Sequence, residues 1–436
     1  MTRTVPQTVP QTDAPPELPR LAAYVGIDWA DDHHDIALQA ADGGPVEHVR
    51  LAQTPEEVHA WIAALQARFP EAPIGIAIET SRGALLSALL EHDGLLLYPI
   101  NPASLARFRA TFAPSGAKDD VPDAALLLEL LQKHRAHLLA WQPDDPATRM
   151  LRRLSEHRRG VVDMRTKISQ QLTTALKEYF PQALSWAGDD LTTPLAWDFL
   201  ERWPTLAAVQ RARPATLERF YVEHNCRRRA KITARLEAIA TAVPLTEDSA
   251  IVDPTVLLVQ TLVQQLRGLT RAITDFEAAI AEQFRTHPDA ALFQSLPGAG
   301  PALAPRLLVA FGTDRTRFAT PAGVQQYSGI APVTRRSGKS RTVTWRWAAP
   351  TFVRQSFHEF ASQSIRWCPW ARAYYAQQRA RGASAQQAIR ALAFKWIRIL
   401  WRCWQDGVPY DDARYTAALH RRGSPLAQKV PLPTPA

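Results

Sequence analysis

The 436-residue chain reads as an α/β domain followed by a mostly helical remainder. Three observations lead there. Over residues 21–140, short apolar runs alternate with helix-forming stretches in the order three strands, helix, strand, helix, strand, helix. Residues 147–180 and 255–286 carry apolar side chains at helical spacing over more than thirty positions each. Residues 291–410 again favour helix, around a tight Pro-Gly-Ala-Gly turn. Outside these blocks, residues 1–20 are polar and proline-rich with TVPQ repeated, and read as a disordered tail; residues 411–436 read as a second tail.

In the first block, AAYVGIDWA is a strand that ends at Asp28, and DIALQAA is a second strand after the turn ADDHH. Asp42-Gly43-Gly44 signals a hairpin into EHVRLAQ. Thr54-Pro55-Glu56-Glu57 opens a helix that runs to about Phe69, with Thr54 as cap, proline in the first turn and Glu57 to close a capping box. APIGIAIE is a buried strand ending at Glu79, SRGALLSALLEHD a helix, GLLLYPIN a strand and SLARFRATF a helix. A loop then enters a last helix that carries Asp120 and Asp123. This order implies a mixed sheet with helical crossovers.

The middle, residues 141–290, holds the two long helices, two shorter ones around 195–202 and 214–224, and a basic cluster at Cys226-Arg227-Arg228-Arg229. Two long amphipathic helices in one chain can pair as an antiparallel coiled coil. The arginines between 149 and 165, with Lys167, read as a helix beside nucleic acid or as a charged solvated face. In the last block, LFQSLPGAGPALAPRLLVAFG resembles a helix-hairpin-helix, whose Gly298 and Gly300 would leave backbone N–H groups for DNA phosphates.

Composition narrows the function. The net charge of +9 hides a split: residues 21–140 hold 16 Asp+Glu against 8 Lys+Arg, a balance of −8, while residues 313–409 hold 3 against 16, a balance of +13. The basic block also carries seven of the 13 tryptophans, a mixture suited to a phosphate backbone. Three scattered cysteines without a CxxC argue against a disulfide framework or zinc site, and no apolar run reaches membrane length. The cysteine usage suits a reducing cytoplasm.

Two constellations carry chemistry. Asp28 and Glu79 end strands that could be neighbours, and Asp120 and Asp123 share a helix face. Four converging carboxylates repel one another unless cations sit among them, and an oxygen-only set selects Mg²⁺ or Mn²⁺. Asp119, Asp31, Asp32 and Asp35 compete for these places, and His33 and His34 are adjacent. Far away in sequence, Ser337 lies in a loop among Arg335, Arg336, Lys339 and Arg341, as a hydroxyl among phosphate-binding cations.

GIDWA, IAIETS and AKDDVPDA resemble the N-terminal domain of bacterial insertion-sequence transposases of the "one-hundred-and-ten" family, which includes the Piv-type DNA invertases. Gly329-Ile330-Ala331-Pro332 and Ser337-Gly338 resemble that family's second domain. The resemblance implies a RuvC-like RNase H fold with Asp28, Glu79, Asp120 and Asp123 as its metal tetrad, and Ser337 as nucleophile, with Ser340 and Ser328 as alternatives. It also implies a dimerising coiled-coil middle and a structured noncoding guide RNA that pairs with donor and target DNA. Asp119 replaces the family's threonine, and Arg346-Trp347-Ala348 replaces its Arg-Gly-Asn step. The expected protein is a recombinase, a homo-oligomeric dimer or tetramer, in which acids and serine meet at one phosphate. A water-using metal nuclease and a non-enzymatic DNA-bridging protein are the other readings.

Overall fold

The computed structural model describes residues 18–79, 83–112, 123–138, 140–141, 143–338, 340–346 and 349–430. The tail expected at 1–20 therefore lies outside the described residues up to position 17. The chain divides into two compact units, Met1–Pro143 and Asp144–Ala436.

In the first unit, β1 (Ala23–Trp29), β2 (His33–Ala40) and β3 (Glu47–Ala52) form an antiparallel meander. Helix α1 (Pro55–Arg68) leads to β4 (Ile74–Ile78), α2 (Ala84–Leu89) leads to β5 (Leu95–Pro99), and α3 (Pro102–Phe112) and α4 (Asp123–His134) follow. The sheet order is β3-β2-β1-β4-β5, with β4 parallel to both its neighbours. This is the mixed sheet with helical crossovers that the element order predicts.

Strand parity sorts the two faces. Ala23, Val25 and Ile27 of β1 and Ile74, Ile76 and Ile78 of β4 enter a core with Val58, Ile62 and Leu65 of α1 and Leu85, Leu86 and Leu89 of α2. The other face packs Ala77 and Tyr98 against Leu105 of α3 and Leu126, Leu127 and Leu131 of α4. A sheet covered on both faces needs apolar residues at both parities, hence the near-continuous apolar runs. Thr54 caps α1 by accepting the Glu57 N–H, as expected. The reciprocal half of the capping box is corrected: Glu57 Oε2 accepts the Ala52 N–H at 3.3 Å and ties the helix to the end of β3.

The second unit opens with the 34-residue α5 (Pro146–Tyr179). The short helices α6 (Ala183–Trp186), α7 (Pro194–Arg202), α8 (Leu206–Gln210), α9 (Pro214–Glu223) and α10 (Arg229–Thr241) precede the 37-residue α11 (Ser249–Arg285). Next come α12 (Ala290–Gln294), α13 (Gly300–Phe311) and α14 (Pro321–Tyr327), then a hairpin of β6 (Val333–Ser337) and β7 (Ser340–Thr344). The helices α15 (Thr351–Trp367), α16 (Pro369–Ala380), α17 (Ala385–Asp406) and α18 (Asp412–Arg421) complete the unit.

Helices α5 and α11 are partners within the chain and run antiparallel. Leu151 of α5 shares a core with Ile280 and Phe284. Leu172 and Leu176 share another with Val259, Leu262 and Leu266, together with residues of α6 to α10. Several arginines of the α5 face are held by acids, Arg152 by Asp144, Arg158 by Glu277 and Arg159 by Glu359. Two expectations are corrected. Residues 411–430 are no tail: Leu419, Leu426 and Val430 enter the C-terminal core and hold α18 down. The segment around Ser337 is a two-stranded hairpin instead of a loop, because Thr334, Thr342, Val343 and Thr344 favour strand and Gly338 takes φ 54° at the turn. Among the described residues no helix is long and apolar enough to cross a membrane.

Asp145 fixes the start of α5. Its carboxylate accepts the Thr148 N–H at 3.0 Å and the hydroxyls of Thr148 and Thr313 at 2.6 and 2.8 Å. Burial pushes its pKa up, but these hydrogen bonds, with His287 nearby, outweigh it and hold the carboxyl at about 2. A depressed folded-state pKa stabilises above the unfolded value, and that contribution is lost as pH falls through the folded one. Asp145→Ala is expected to cost about 1–2 kcal/mol at neutral pH, read as a lower urea midpoint. The gap to wild type should close as pH falls from about 4 to about 2.

Candidate functional site

Asp28 continues the parity of Tyr24 and Gly26 on β1, and Glu79 continues that of Gly75 and Ala77 on β4, so both point to the face that α4 covers. Ile27 and Ile78 are register partners in parallel strands, so the next residues emerge side by side. Asp123 is the first residue of α4. One oxygen from each of Asp28, Glu79 and Asp123 lies within 4.8 Å of the others. Gly26 permits this. A Cβ there would stand 2.0 Å from the Ala124 carbonyl oxygen and 2.5 Å from the Leu128 nitrogen, so only glycine lets α4 come down onto β1.

The electrostatics suit a hard cation. Burial, then the charges of Asp123 and Asp28, push the Glu79 carboxyl above its ordinary pKa, and Arg109 opposes them. Mutually repelling carboxylates with oxygen-only donors are the ligand set of a divalent ion such as Mg²⁺ or Mn²⁺. Arg109 of α3 donates from Nη2 to Asp123 Oδ2, while its Nε is buried without a partner. Sequence reasoning missed Arg109. It stands 14 residues from Asp123 with no periodic relation to it, and only folding makes the pair.

The remaining acidic candidates separate. Asp119 and Asp120 lie outside the described residues. Asp31, Asp32 and Asp35 are exposed and take no part in the cluster. His34 is buried, accepts the Ala30 N–H and contacts Gln53, so it serves the packing of β2 on β3; His33 contacts Arg50.

In the second unit, Ser337 ends β6, exposed, and pairs in register with Ser340 at the start of β7. Arg335 and Arg336 are exposed on β6, and alternation puts Arg335 on the face of Ser337. Lys339 and the side chain of Arg341 lie outside the described residues. Ser328 is removed from the candidates. It is fully buried, donates to the Gln325 carbonyl and accepts the Ile330 N–H, as turn serines do. Gly298, between α12 and α13, takes φ 81°, and Gly300, the first residue of α13, takes φ 55°. A Cβ on Gly298 would meet Trp367 at 2.7 Å, so that glycine answers first to packing under α15; Gly300 is exposed with open space beside it.

A profile for the DEDD domain of IS110 elements, described as "Transposase", matches residues 25–181. A second, described as "Transposase IS116/IS110/IS902 family", matches residues 290–376. The chain is 30% identical to the "Mini-circle putative transposase for IS117" of Streptomyces coelicolor, over 92% of this chain and 98% of that protein. It is 27% identical to the "Insertion element IS900 uncharacterized 42 kDa protein" of Mycobacterium paratuberculosis, over 91% and 98%. It is also 27% identical to the "Insertion element IS110 uncharacterized 43.6 kDa protein" of Streptomyces coelicolor, over 90% and 96%.

The acid cluster makes a prediction that needs no DNA. Glu79→Gln and Asp123→Asn should each weaken Mn²⁺ binding in calorimetric titration by about tenfold or more, about 1.4 kcal/mol. Arg109→Gln should strengthen it, because the guanidinium holds one of the ligating carboxylates and adds a like charge beside the ion.

Proposed function

Because the chain belongs to the IS110 family of transposases, we propose that it cuts and rejoins DNA through a transient serine–phosphate bond, with Ser337 as nucleophile. DNA strand cleavage and transfer is the activity of this family. In this reading the first unit is an RNase H-like domain of RuvC type. Asp28, Glu79, Asp120 and Asp123 hold Mg²⁺ or Mn²⁺. The observation that carries it is the meeting of Asp28, Glu79 and Asp123 within 4.8 Å at one end of a mixed sheet.

The chemistry follows from the residues. Ser337 Oγ bonds to phosphorus while the bond to the leaving deoxyribose oxygen breaks, and the serine proton passes to solvent or to that oxygen. The phosphodiester is exchanged rather than hydrolysed, so a hydroxyl of another strand can reverse the step and free Ser337 without an external energy source. A bound divalent ion supplies Lewis-acid stabilisation of the phosphate charge. Arg335, Arg336 and Lys339 neutralise the same charge, and Arg341, Gly298 and Gly300 contact the DNA backbone. The basic block at 313–409 supports binding of donor and target DNA, and of a structured noncoding guide RNA from the same element. The working form is a homo-oligomer, a dimer or tetramer, in the bacterial cytoplasm near the nucleoid. The alternative is a metal-dependent nuclease that uses water as nucleophile.

Ser337→Ala separates the two. On a cognate DNA substrate it should remove the covalent protein–DNA adduct and reduce cleavage by about a thousandfold or more, with DNA affinity retained. EDTA should stop the wild-type reaction and added Mg²⁺ or Mn²⁺ restore it. Undiminished cleavage by Ser337→Ala would sink the serine mechanism in favour of water.

A further inference from the structure

The hairpin that carries Ser337 is exposed along β6, so its aim is set where it joins the helices. One side chain grips both legs there. Arg390 of α17 donates from Nε to the Ile330 carbonyl at 2.9 Å and from Nη2 to the Gly329 carbonyl at 2.7 Å, on the leg that leads out to β6. The same guanidinium carbon sits 3.7 Å from the ring centroid of Trp345, the residue after β7 on the returning leg. The legs also pinch together beneath it: a Cβ on Gly329, at φ 69°, would stand 2.5 Å from the Ala349 Cβ.

From these contacts we infer that Arg390 is the positioning residue of the serine hairpin. Its fork fixes two successive carbonyls while its flat face takes the indole, so one rigid plane sets the angle between the outgoing and returning strands. Lysine reproduces the charge but neither the fork nor the stacking plane. Arg390 is partly buried, which strengthens contacts that water would otherwise compete for. A hairpin released at its root would carry Ser337 through a wider arc, and a displacement of about 1 Å at a nucleophile costs up to about a hundredfold in rate. Exposed Trp345 thereby gains a role distinct from that of the core tryptophans. This inference rests on the reading of Ser337 as nucleophile.

The test uses the full chain and two readouts. In Arg390→Lys, covalent adduct formation should fall about tenfold to a hundredfold while DNA affinity and melting temperature hold. Without DNA, limited trypsin should nick the variant faster than wild type after Arg335 and Arg336. Trp345→Ala should behave alike, and the double variant should be little worse than either single one, because the two side chains form a single clamp. Wild-type nicking rates in both single variants, or wild-type adduct rates in Arg390→Lys, would overturn the inference. If Arg390→Lys fails to fold, Trp345→Ala decides alone. If wild type itself forms no adduct at Ser337, the serine reading falls, while the nicking rates still decide whether the clamp exists.

Discussion

Helix α4 rests on strand β1 with its own backbone where a side chain would otherwise stand. The contact at Gly26, with the Ala124 carbonyl and the Leu128 nitrogen pressing into the space of a missing Cβ, governs the geometry of the first unit. It brings the N-terminus of α4 low over the strand ends, so that Asp123 reaches Asp28 and Glu79. A helix N-terminus is also where a carboxylate is best tolerated, since its free N–H groups carry partial positive charge. Arg109 adds a full one. Burial first, and then the neighbouring acids, push up the Glu79 pKa; the helix end and the guanidinium contain the repulsion, at the site where the chemistry of the family calls for a cation.

How far this was legible in the sequence depends on the range of the interaction concerned. Strand parity needs only neighbours. AYVGIDW places Asp28 in phase with Gly26, and IGIAIE places Glu79 in phase with Ala77, so the two acids could be read as facing one way. The long helices could be read too, because their stripes repeat over many turns; α5 matches the span that periodicity predicts to one residue at each end, whereas α11 starts earlier, at Ser249, and runs through Pro254. Two of the missed features depend on partners distant in sequence. Arg109 finds Asp123 across a segment whose path periodicity does not give, and Arg390 finds Ile330 and Gly329, 60 and 61 residues away. The hairpin at Ser337 was hidden because its strands are five residues each and rich in arginine and serine, which weakens any alternation. The helix α18 was passed over because Leu419, Leu426 and Val430 are too sparse to mark a core segment alone.

The tryptophans of the basic block show how composition can mislead. Trp370, Trp396 and Trp404 are wholly buried, and each indole N–H is satisfied, by Tyr410 Oη, Ser364 Oγ and the Gly312 carbonyl. They are the masonry of a helical core, where a large ring with one polar corner packs well if that corner finds an acceptor. Trp345 and Trp367 are 49% and 69% exposed, and Trp401 lies between the extremes, donating to the Phe318 carbonyl. Cations meet these rings singly, Arg315 at 4.8 Å from the Trp404 centroid, Lys395 at 5.8 Å from Trp370 and Arg390 at 3.7 Å from Trp345, so aromatic enrichment here serves internal packing and stacking before any nucleic acid.

Since α5 and α11 lie side by side with α6 to α10 joining their far ends, residue count in this arm is converted into both reach and azimuth. Deleting one residue from each helix would draw the end group in by about 1.5 Å and swing it about 100° around the axis. Deleting a heptad from each would shorten the arm by about 10 Å yet leave the group facing almost as before. Length variation among relatives should consequently come in whole repeats matched between the two helices, and an unmatched insertion should surface as a bulge or a shifted loop rather than a longer arm.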